Sequence, residues 1–340
     1  MAIKILIGGS PCTYWSIAQK NNRETEASGM GWELFKNYLI AKEKFKPDLF
    51  LYENNKSAAQ PIKDQISREL GVDLMYINSA LVSAQNRQRF YAFNWTVEQP
   101  EDREILLTDI YESGLMFENV GECKTIQKAI PELVAKFGYL PEQFNAYNLS
   151  EIKDKSPTLS TGSMVTSSCA TTRFETASNG VYEVKGGEIK INGVCYPTKL
   201  LDGNYILRKL TVAECCRLQT MPDDYCRAVS PSQAYKGIGN GWTAEIIIHI
   251  LKGALKDVPR DEEIVVLSMY DGIGTGRYCL DKMGFTNVKY HAYEIDKYPI
   301  QVAMDNYPDI IQHGDAFAVR EDNWQPPQTR SEWLDELLGA

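Results

Sequence analysis

Short apolar segments of this chain end repeatedly in glycine or in an acidic residue, which is typical of strands in an open α/β sheet. Residues 4–7 are followed by Gly8 and Gly9, and residues 48–52 run directly into Glu53. Residues 264–267 end at a glycine-rich loop. Further strands are predicted at residues 74–77, 90–95, 289–293 and 310–312.

Between these segments, apolar residues recur at spacings of three and four, which predicts helices. The first covers residues 31–45 and is ended by Pro47. The others are predicted at 61–70, 211–218, 244–255 and from the glycine-rich loop to 283, and a tight glycine turn is expected over 237–243. The alternation predicts an α/β fold with a doubly wound, mostly parallel, Rossmann-like sheet.

Two reactive side chains follow the first two predicted strands. Cys12 comes after Gly8, Gly9 and Pro11, and Glu53 ends the second strand. Parallel strands joined by a helix bring their carboxyl ends to one edge of the sheet, so we expect both side chains at one crevice. Cys12 is then a candidate nucleophile, although a small buried thiol is the alternative.

A polar segment with period-two spacing precedes the strand predicted at 90–95. Gln85, Arg87 and Arg89 fall on one face of an extended chain. Three long hydrogen-bond donors suit an anion or the edge of a base, whereas a solvated edge strand explains the same pattern.

Residues 101–207 differ from the rest of the chain. Helix signals are weak, and the predicted strands are short, at 181–184, 189–191 and 205–207. We expect a separate, smaller, irregular, β-containing domain, with the catalytic half in 1–100, the remainder of the first domain in 208–325 and a tail at 326–340. Residues 151–209 hold eight Lys and Arg against six Asp and Glu. Cations and nearby hydroxyls suit phosphate contacts, although a plain surface insertion fits almost as well.

The last quarter has the pattern of a nucleotide-binding βαβ unit. The loop 271–276 reads Asp-Gly-Ile-Gly-Thr-Gly, a helix and a strand follow, and Glu294 stands 22 residues beyond Gly272. The spacing GxGxG differs from the dinucleotide fingerprint, which favours a cofactor with a ribose but no pyrophosphate. A glycine turn between two core strands is the alternative.

Composition excludes several classes. Eight scattered cysteines without a C-x-x-C pair predict reduced thiols and no metal site. The chain starts without the basic and apolar segments of a signal peptide, and no apolar run approaches the ~20 residues of a membrane span. We therefore expect a cytoplasmic protein with no membrane association. The net charge of −9 argues only weakly against a nucleic-acid partner, because a local basic cleft matters more than the sum.

Six segments together resemble the C5-cytosine DNA methyltransferase family. They are GGSPCTYWS (8–16), ENN (53–55), QNRQR (85–89), LRKLTVAECCRLQTMPDDY (207–225), GIGNGWT (237–243) and SMYDGIGTG (268–276). In most of the family the cofactor loop comes first and the nucleophile segment follows. Here the order is reversed, which looks like a circular permutation.

The resemblance implies roles for the first set of residues. Cys12 attacks carbon 6 of a flipped cytosine, and Glu53 protonates N3 from an expected apolar setting. Arg89 binds the exocyclic oxygen, supported by Arg87 and Gln85. The polar loop 19–28 closes over the flipped base.

The resemblance also implies S-adenosylmethionine as the cofactor. Its predicted binding residues are Tyr270, Asp271, Gly272, Gly274, Glu294, Ile295, Asp315, Pro11, Asn240 and Trp242. Within this set, Glu294 binds the ribose, Ile295 packs on the adenine and Asp315 meets its amino group. Ile295 departs from the family, which often has an aromatic residue there.

The implied function is methylation of carbon 5 of cytosine in double-stranded DNA by a monomeric enzyme, as in restriction-modification systems of bacteria or phage. Three alternatives remain: a tRNA cytosine-5 methyltransferase, an inactive DNA-binding paralogue and an adenine amino-methyltransferase. Intact Cys12 and Glu53 argue against the inactive paralogue. Cys12 also stands where the adenine enzymes have the second proline of their motif.

Overall fold

The computed structural model describes residues 2–17, 23–113, 116–159 and 171–338. The strands are β1 (Ile3–Gly8), β2 (Leu49–Asn55), β3 (Met75–Asn78), β4 (Gln85–Asn86), β5 (Gln88–Phe93), β6 (Gln143–Asn145), β7 (Ser150–Glu151), β8 (Ser156–Pro157), β9 (Thr172–Thr176), β10 (Tyr182–Lys185), β11 (Glu188–Ile191), β12 (Val194–Pro197), β13 (Gly203–Lys209), β14 (Ile264–Met269), β15 (Val288–Tyr293) and β16 (Ile311–Gln312). The helices are α1 (Gly29–Phe45), α2 (Gln60–Leu70), α3 (Lys124–Phe137), α4 (Val212–Leu218), α5 (Pro231–Asn240), α6 (Ala244–Leu255), α7 (Thr275–Lys282), α8 (Lys297–Asn306) and α9 (Arg330–Leu338).

The chain forms two compact units. The first comprises Met1–Asn78, Gln88–Glu101 and Gly241–Ala340, and the second comprises Ser79–Arg87 and Asp102–Asn240. The predicted division at residues 100, 207 and 325 stays a prediction. Within the described part of the chain, no helix has the length and apolarity needed to cross a membrane.

The first unit is built on a seven-stranded sheet with the order β16-β15-β14-β1-β2-β5-β3. The five strands from β16 to β2 are parallel, and β5 runs antiparallel to both β2 and β3. The mixed α/β class with a mostly parallel sheet is therefore confirmed. Gly8 is in register with both Met269 and Tyr52, so β14, β1 and β2 end side by side at one edge.

Helix α1 covers one face of this sheet. Its aromatic residues Trp32, Phe35, Tyr38 and Phe45 are buried at spacings of three to seven, as the apolar pattern predicts. The helix ends at Lys46, which has a left-handed backbone (φ 49°), because Pro47 disfavours a helical residue before it. These side chains share one apolar core with β1, β2 and β14.

Helix α7 packs on the opposite face. A Cβ on Gly276 would lie 2.4 Å from Ile7 Cδ1 and 2.4 Å from the Tyr290 hydroxyl. Glycine at this position therefore lets the helix that follows the glycine-rich loop approach β1 and β15 closely.

The second unit is more regular than we expect from the sequence. It contains an antiparallel sheet of seven strands, in the order β12-β11-β10-β13-β9-β6-β7, and the 14-residue helix α3. The prediction of a β-containing region is confirmed, but the prediction of an irregular one with weak helix signals is wrong. Pro131 lies within α3 and obscures its pattern, although Ile126, Ile130 and Leu133 are buried at helical spacing. Residues 160–170 of the Ser/Thr-rich segment lie outside the described residues.

The expected glycine turn over residues 237–243 is also partly wrong. Residues 237–240 form the last turn of α5, and only Gly241–Thr243 separate it from α6. Ala234, Ile238 and Gly239 are buried. Packing of this face offsets the low helix propensity of Gly237 and Gly239. The helix predicted at 211–218 is confirmed as α4. It begins with a capping box, in which Glu214 N donates to Thr211 Oγ1 (3.1 Å) and Thr211 N donates to Glu214 Oε2 (2.8 Å).

Candidate active site

Cys12 lies four residues beyond the end of β1. It opens a 3-10 turn, Cys12–Tyr14, in which its carbonyl accepts hydrogen bonds from Trp15 N (3.0 Å) and Ser16 N (2.9 Å). The Cys12 side chain is half-buried, Pro11 beside it is exposed, and Trp15 is completely buried in the core. The buried tryptophan therefore anchors the segment that carries the thiol.

The segment before Cys12 is fixed to the end of β2. Ser10 Oγ and the Tyr52 hydroxyl are hydrogen-bonded at 2.7 Å, and Asn54 Nδ2 donates to the Ser10 carbonyl at 2.9 Å. The preceding residue, Gly9, lies close to Glu53, since a Cβ on Gly9 would be 2.7 Å from the Glu53 carbonyl oxygen. The start of the nucleophile segment therefore lies directly against Glu53.

The Glu53 carboxylate has a different donor on each oxygen. Arg89 Nε lies 3.0 Å from Oε1 as an ion pair, and Trp242 Nε1 donates to Oε2 at 3.0 Å. Glu53 and Arg89 are 9% and 8% exposed. The expected apolar setting of this carboxyl is wrong, because each of its oxygens faces a polar donor.

The structure decides between the two interpretations of the polar segment that contains Gln85, Arg87 and Arg89. All three side chains are buried, so a solvated edge strand is excluded. Gln85 Nε2 donates to the Leu218 carbonyl (3.3 Å). Arg87 Nη1 donates to the carbonyls of Leu159 (3.4 Å) and Gly239 (3.3 Å). These contacts of Gln85 and Arg87 lie within the second unit, and their role at the base stays a prediction.

The glycine-rich loop begins directly after β14. Tyr270, Gly272 and Gly274 all have left-handed backbones, with φ of 62°, 65° and 78°. This conformation suits glycine but is uncommon for tyrosine. The Tyr270 hydroxyl is fixed to α1, because it donates to the Leu34 carbonyl at 2.7 Å.

Glu294 holds this loop to the end of β15. Its Oε2 accepts from Gly272 N (3.0 Å), and its Oε1 accepts from Ile295 N (2.9 Å) and Asp296 N (2.8 Å). Ile295 is 74% exposed. At the end of β16, Asp315 is exposed and accepts from Phe317 N through Oδ1 (2.9 Å). The ends of three neighbouring parallel strands therefore carry seven of the ten predicted cofactor residues, and their role in binding stays a prediction.

Asp271 is the acid of the loop, and it is half-buried. Its Oδ1 accepts from the hydroxyls of Ser268 and Tyr290, both at 2.7 Å, while its buried Oδ2 has no partner among the described residues. Burial raises the pKa of Asp271 to about 6, against the lowering effect of these two hydroxyls, and the charge of Glu294 adds to the rise.

This pKa predicts a pH dependence of stability in the cofactor-free protein. A carboxyl whose pKa is higher in the folded state stabilises the fold fully below its unfolded pKa of 3.8, and this contribution is lost as the pH rises through about 6. We expect Asp271→Asn to gain about 2 kcal/mol of unfolding free energy relative to wild type between pH 4 and pH 8. Urea unfolding of both proteins over this range measures the difference, with Asp322→Asn as an exposed control. A difference that does not change with pH would contradict the assignment.

Comparison with known proteins assigns the chain to a family. The family model for C-5 cytosine-specific DNA methylases matches residues 1–256, and the chain therefore belongs to this family of cytosine-5 methyltransferases. A crystal structure of a triple mutant of Spodoptera frugiperda DNMT2 is similar over 73% of this chain and 78% of that chain, with 15% sequence identity and a TM-score of 0.42. The comparison with curated proteins finds no match.

The residues at the loop fit the cofactor that this family uses, S-adenosylmethionine. The unpaired Asp271 Oδ2 is an acceptor, and a Cβ on Gly272 would meet no atom within 4 Å, so the loop combines an acceptor with open space. Asn240, also predicted for this pocket, is exposed at the end of α5 in the second unit.

Trp242 was missed as a partner of Glu53, because nothing in the local pattern relates two residues 189 positions apart.

Proposed function

We propose that this protein is a DNA cytosine-5 methyltransferase that acts through a covalent Cys12 adduct on a flipped cytosine. The observation that carries the proposal is the attachment of the Gly9–Ser10 segment to β2 beside Glu53, next to the glycine-rich loop of β14. A nucleophile, an acid and a methyl-donor site then lie at the ends of three adjacent parallel strands. A base inside a duplex cannot reach such an edge, so the cytosine must be extruded.

The chemistry requires each of these groups. The Cys12 thiolate forms a bond to carbon 6 while the Glu53 carboxyl gives its proton to N3, and the ring becomes an enamine with a nucleophilic carbon 5. Carbon 5 would take the methyl group as the S–CH3 bond of the sulfonium breaks and its sulfur leaves as a neutral thioether. Carbon 5 would then lose its own proton to a water molecule. The electrons of that C–H bond restore the C5–C6 double bond as the thiolate leaves and N3 returns its proton to Glu53.

S-adenosylmethionine, when bound, supplies an electrophilic methyl group on a sulfonium. Asp271 Oδ2 would accept from the ammonium of its methionine part, beside Gly272, Gly274 and Tyr270. Glu294 would meet the ribose hydroxyls, and Ile295 and Asp315 would meet the adenine. Pro11 would close the pocket.

The strand order supports a circular permutation of the motifs. The first strand of the chain, β1, pairs with β2 on one side and with β14 on the other. Strand β14 begins 256 residues after β1 ends at Gly8. The family match ends at residue 256, and the glycine-rich loop lies beyond it. We infer that β14–β16 take the place that the first strands of the methyltransferase sheet take in most of the family.

Double-stranded DNA is the proposed substrate, with the second unit as its target-recognition part and the enzyme as a monomer. The distribution of charged residues between the two units supports the assignment of target recognition to the second unit. The second unit has 16 Lys and Arg against 17 Asp and Glu, whereas the first has 20 against 28. The acidic surplus therefore lies almost entirely outside the unit proposed to read the target, and it does not oppose DNA there.

Methyl transfer from labelled S-adenosylmethionine distinguishes the substrates. We expect label to enter duplex DNA at carbon 5 of cytosine and tRNA to remain unlabelled, and bisulfite sequencing of DNA from expressing cells then gives the recognition sequence. A duplex that contains 5-fluorocytosine at the target should trap the protein covalently, since the fluorine cannot leave as the C5 proton does. Preferential labelling of tRNA would contradict the DNA assignment, and a lack of any adduct would indicate a non-catalytic binding protein.

A further inference from the structure

The two oxygens of the Glu53 carboxylate have chemically unequal partners. Oε1 is paired with the Arg89 guanidinium, and Oε2 accepts from the neutral indole N–H of Trp242, each at 3.0 Å. The side chains of the ion pair are only 10% and 11% exposed, so these contacts act in a largely dehydrated setting. A hydrogen bond that includes two ionised groups is stronger than one with a neutral donor.

Trp242 is held at this place by the core of the first unit. It stands two residues before α6, whose residues Ile246, Ile247 and Ile250 are buried. Helix α6 contacts α7 through the hydrogen bond from Cys279 Sγ to the Ala244 carbonyl (3.5 Å). The indole is therefore delivered to Glu53 by a packed helix rather than by an isolated surface loop.

The difference between these two partners determines which oxygen of the Glu53 carboxyl carries a proton. The guanidinium favours negative charge on Oε1, so protonation occurs on Oε2. Arginine and tryptophan are both donors without an acceptor, and neither can receive the resulting O–H. An acceptor from outside this group, such as N3 of a bound cytosine, can satisfy that proton, while Oε2 still accepts from the indole.

We propose that Trp242 is a positioning residue of the reaction, which holds Glu53 Oε2 as the proton-bearing oxygen and directs its proton to N3 of the target base. The inference rests on the proposed function and assigns Trp242 to the acid rather than to the cofactor pocket. The proton moves from Oε2 to N3 as the Cys12 sulfur bonds to carbon 6, and the negative charge left on the carboxylate is stabilised by Arg89 and the indole N–H.

The test removes the indole N–H and keeps an aromatic ring. In Trp242→Phe we expect kcat for duplex DNA to fall about tenfold or more, as for the loss of a hydrogen bond to a charged group. The KM for DNA and the dissociation constant for S-adenosylhomocysteine should stay within about twofold of wild type, because Trp242 acts through Glu53.

Two further variants complete this test, one as a control and one as a second way to remove the indole N–H. Trp95→Phe is the matched control, because it also loses an indole hydrogen bond in the same unit, from Nε1 to the Ile250 carbonyl (2.8 Å), and should retain wild-type kcat. If Trp242→Phe folds poorly, β-(3-benzothienyl)alanine at position 242 keeps the ring shape with sulfur in place of N–H and should reproduce the loss of kcat.

The outcomes separate this inference from the proposed function. Wild-type kcat in a folded Trp242 variant would overturn the positioning role. Weaker S-adenosylhomocysteine binding with normal kcat at saturating cofactor would also overturn it and place Trp242 in the cofactor pocket. If wild-type protein methylates no DNA, the proposed function itself fails, and the inference fails with it.

Discussion

Replacement of Cys12 by alanine is expected to lower methyl transfer to DNA by about 10⁴-fold or more, to below detection. Carbon 5 of cytosine is a poor nucleophile, and only the bond between the Cys12 sulfur and carbon 6 converts it into a good one. Losses of this order are known for the removal of a covalent nucleophile. Incorporation of labelled methyl groups into duplex DNA measures the rate, and a denaturing gel with a 5-fluorocytosine duplex measures the adduct.

The control for Cys12→Ala is Cys195→Ala. Cys195 is an exposed thiol in β12 of the second unit and should be dispensable for both measurements. Cys12→Ala should still bind S-adenosylhomocysteine, because the glycine-rich loop belongs to β14 rather than β1. Full activity of Cys12→Ala, or an adduct that persists in it, would refute covalent catalysis by this residue.

The largest expected effect on stability comes from Glu214 at the start of α4. Glu214 and Arg208 are 0% and 1% exposed, and two guanidinium nitrogens of Arg208 lie 2.8 Å from the two carboxylate oxygens. Glu214 also accepts from Glu112 N (3.0 Å) and Thr211 N (2.8 Å). Glu214→Ala would leave the buried guanidinium of Arg208 with the partly exposed Glu175 (3.1 Å) as its carboxylate partner, and should destabilise the second unit by about 3 kcal/mol.

Urea unfolding with a spectroscopic probe measures this loss. The matched control is Asp223→Asn. It breaks an ion pair with Arg217 that has an N–O distance of 2.6 Å, but whose side chains are 32% and 50% exposed. Exposed pairs contribute about 0–1 kcal/mol, so this variant should unfold almost as wild type does. Equal destabilisation by the two substitutions would show that burial does not set the strength of the Arg208–Glu214 pair.

Local patterns predicted the elements that carry the reactive residues. The strands that precede Cys12, Glu53 and the glycine-rich loop were found because each is an apolar run ended by glycine or acid, a signal contained within a few residues. Helix α3 was missed because Pro131 is a helix breaker on local criteria, although burial of one apolar face stabilises the helix in the fold. The end of α5 was predicted as a turn because Gly237 and Gly239 disfavour a helix on local criteria, although burial of one face stabilises the helix in the fold.

The sequence by itself determined the α/β class with a mostly parallel sheet, the strand ends at which the candidate site residues stand and the family, because strand ends and motif spacings are local properties of the chain. Tertiary structure alone decided which groups contact one another at that edge. Arg89 and Trp242 reach Glu53 from 36 and 189 positions away, and Ser10 reaches Tyr52 across 42. Such contacts are fixed by the pairing of strands and the packing of helices, which no pattern within a single segment contains.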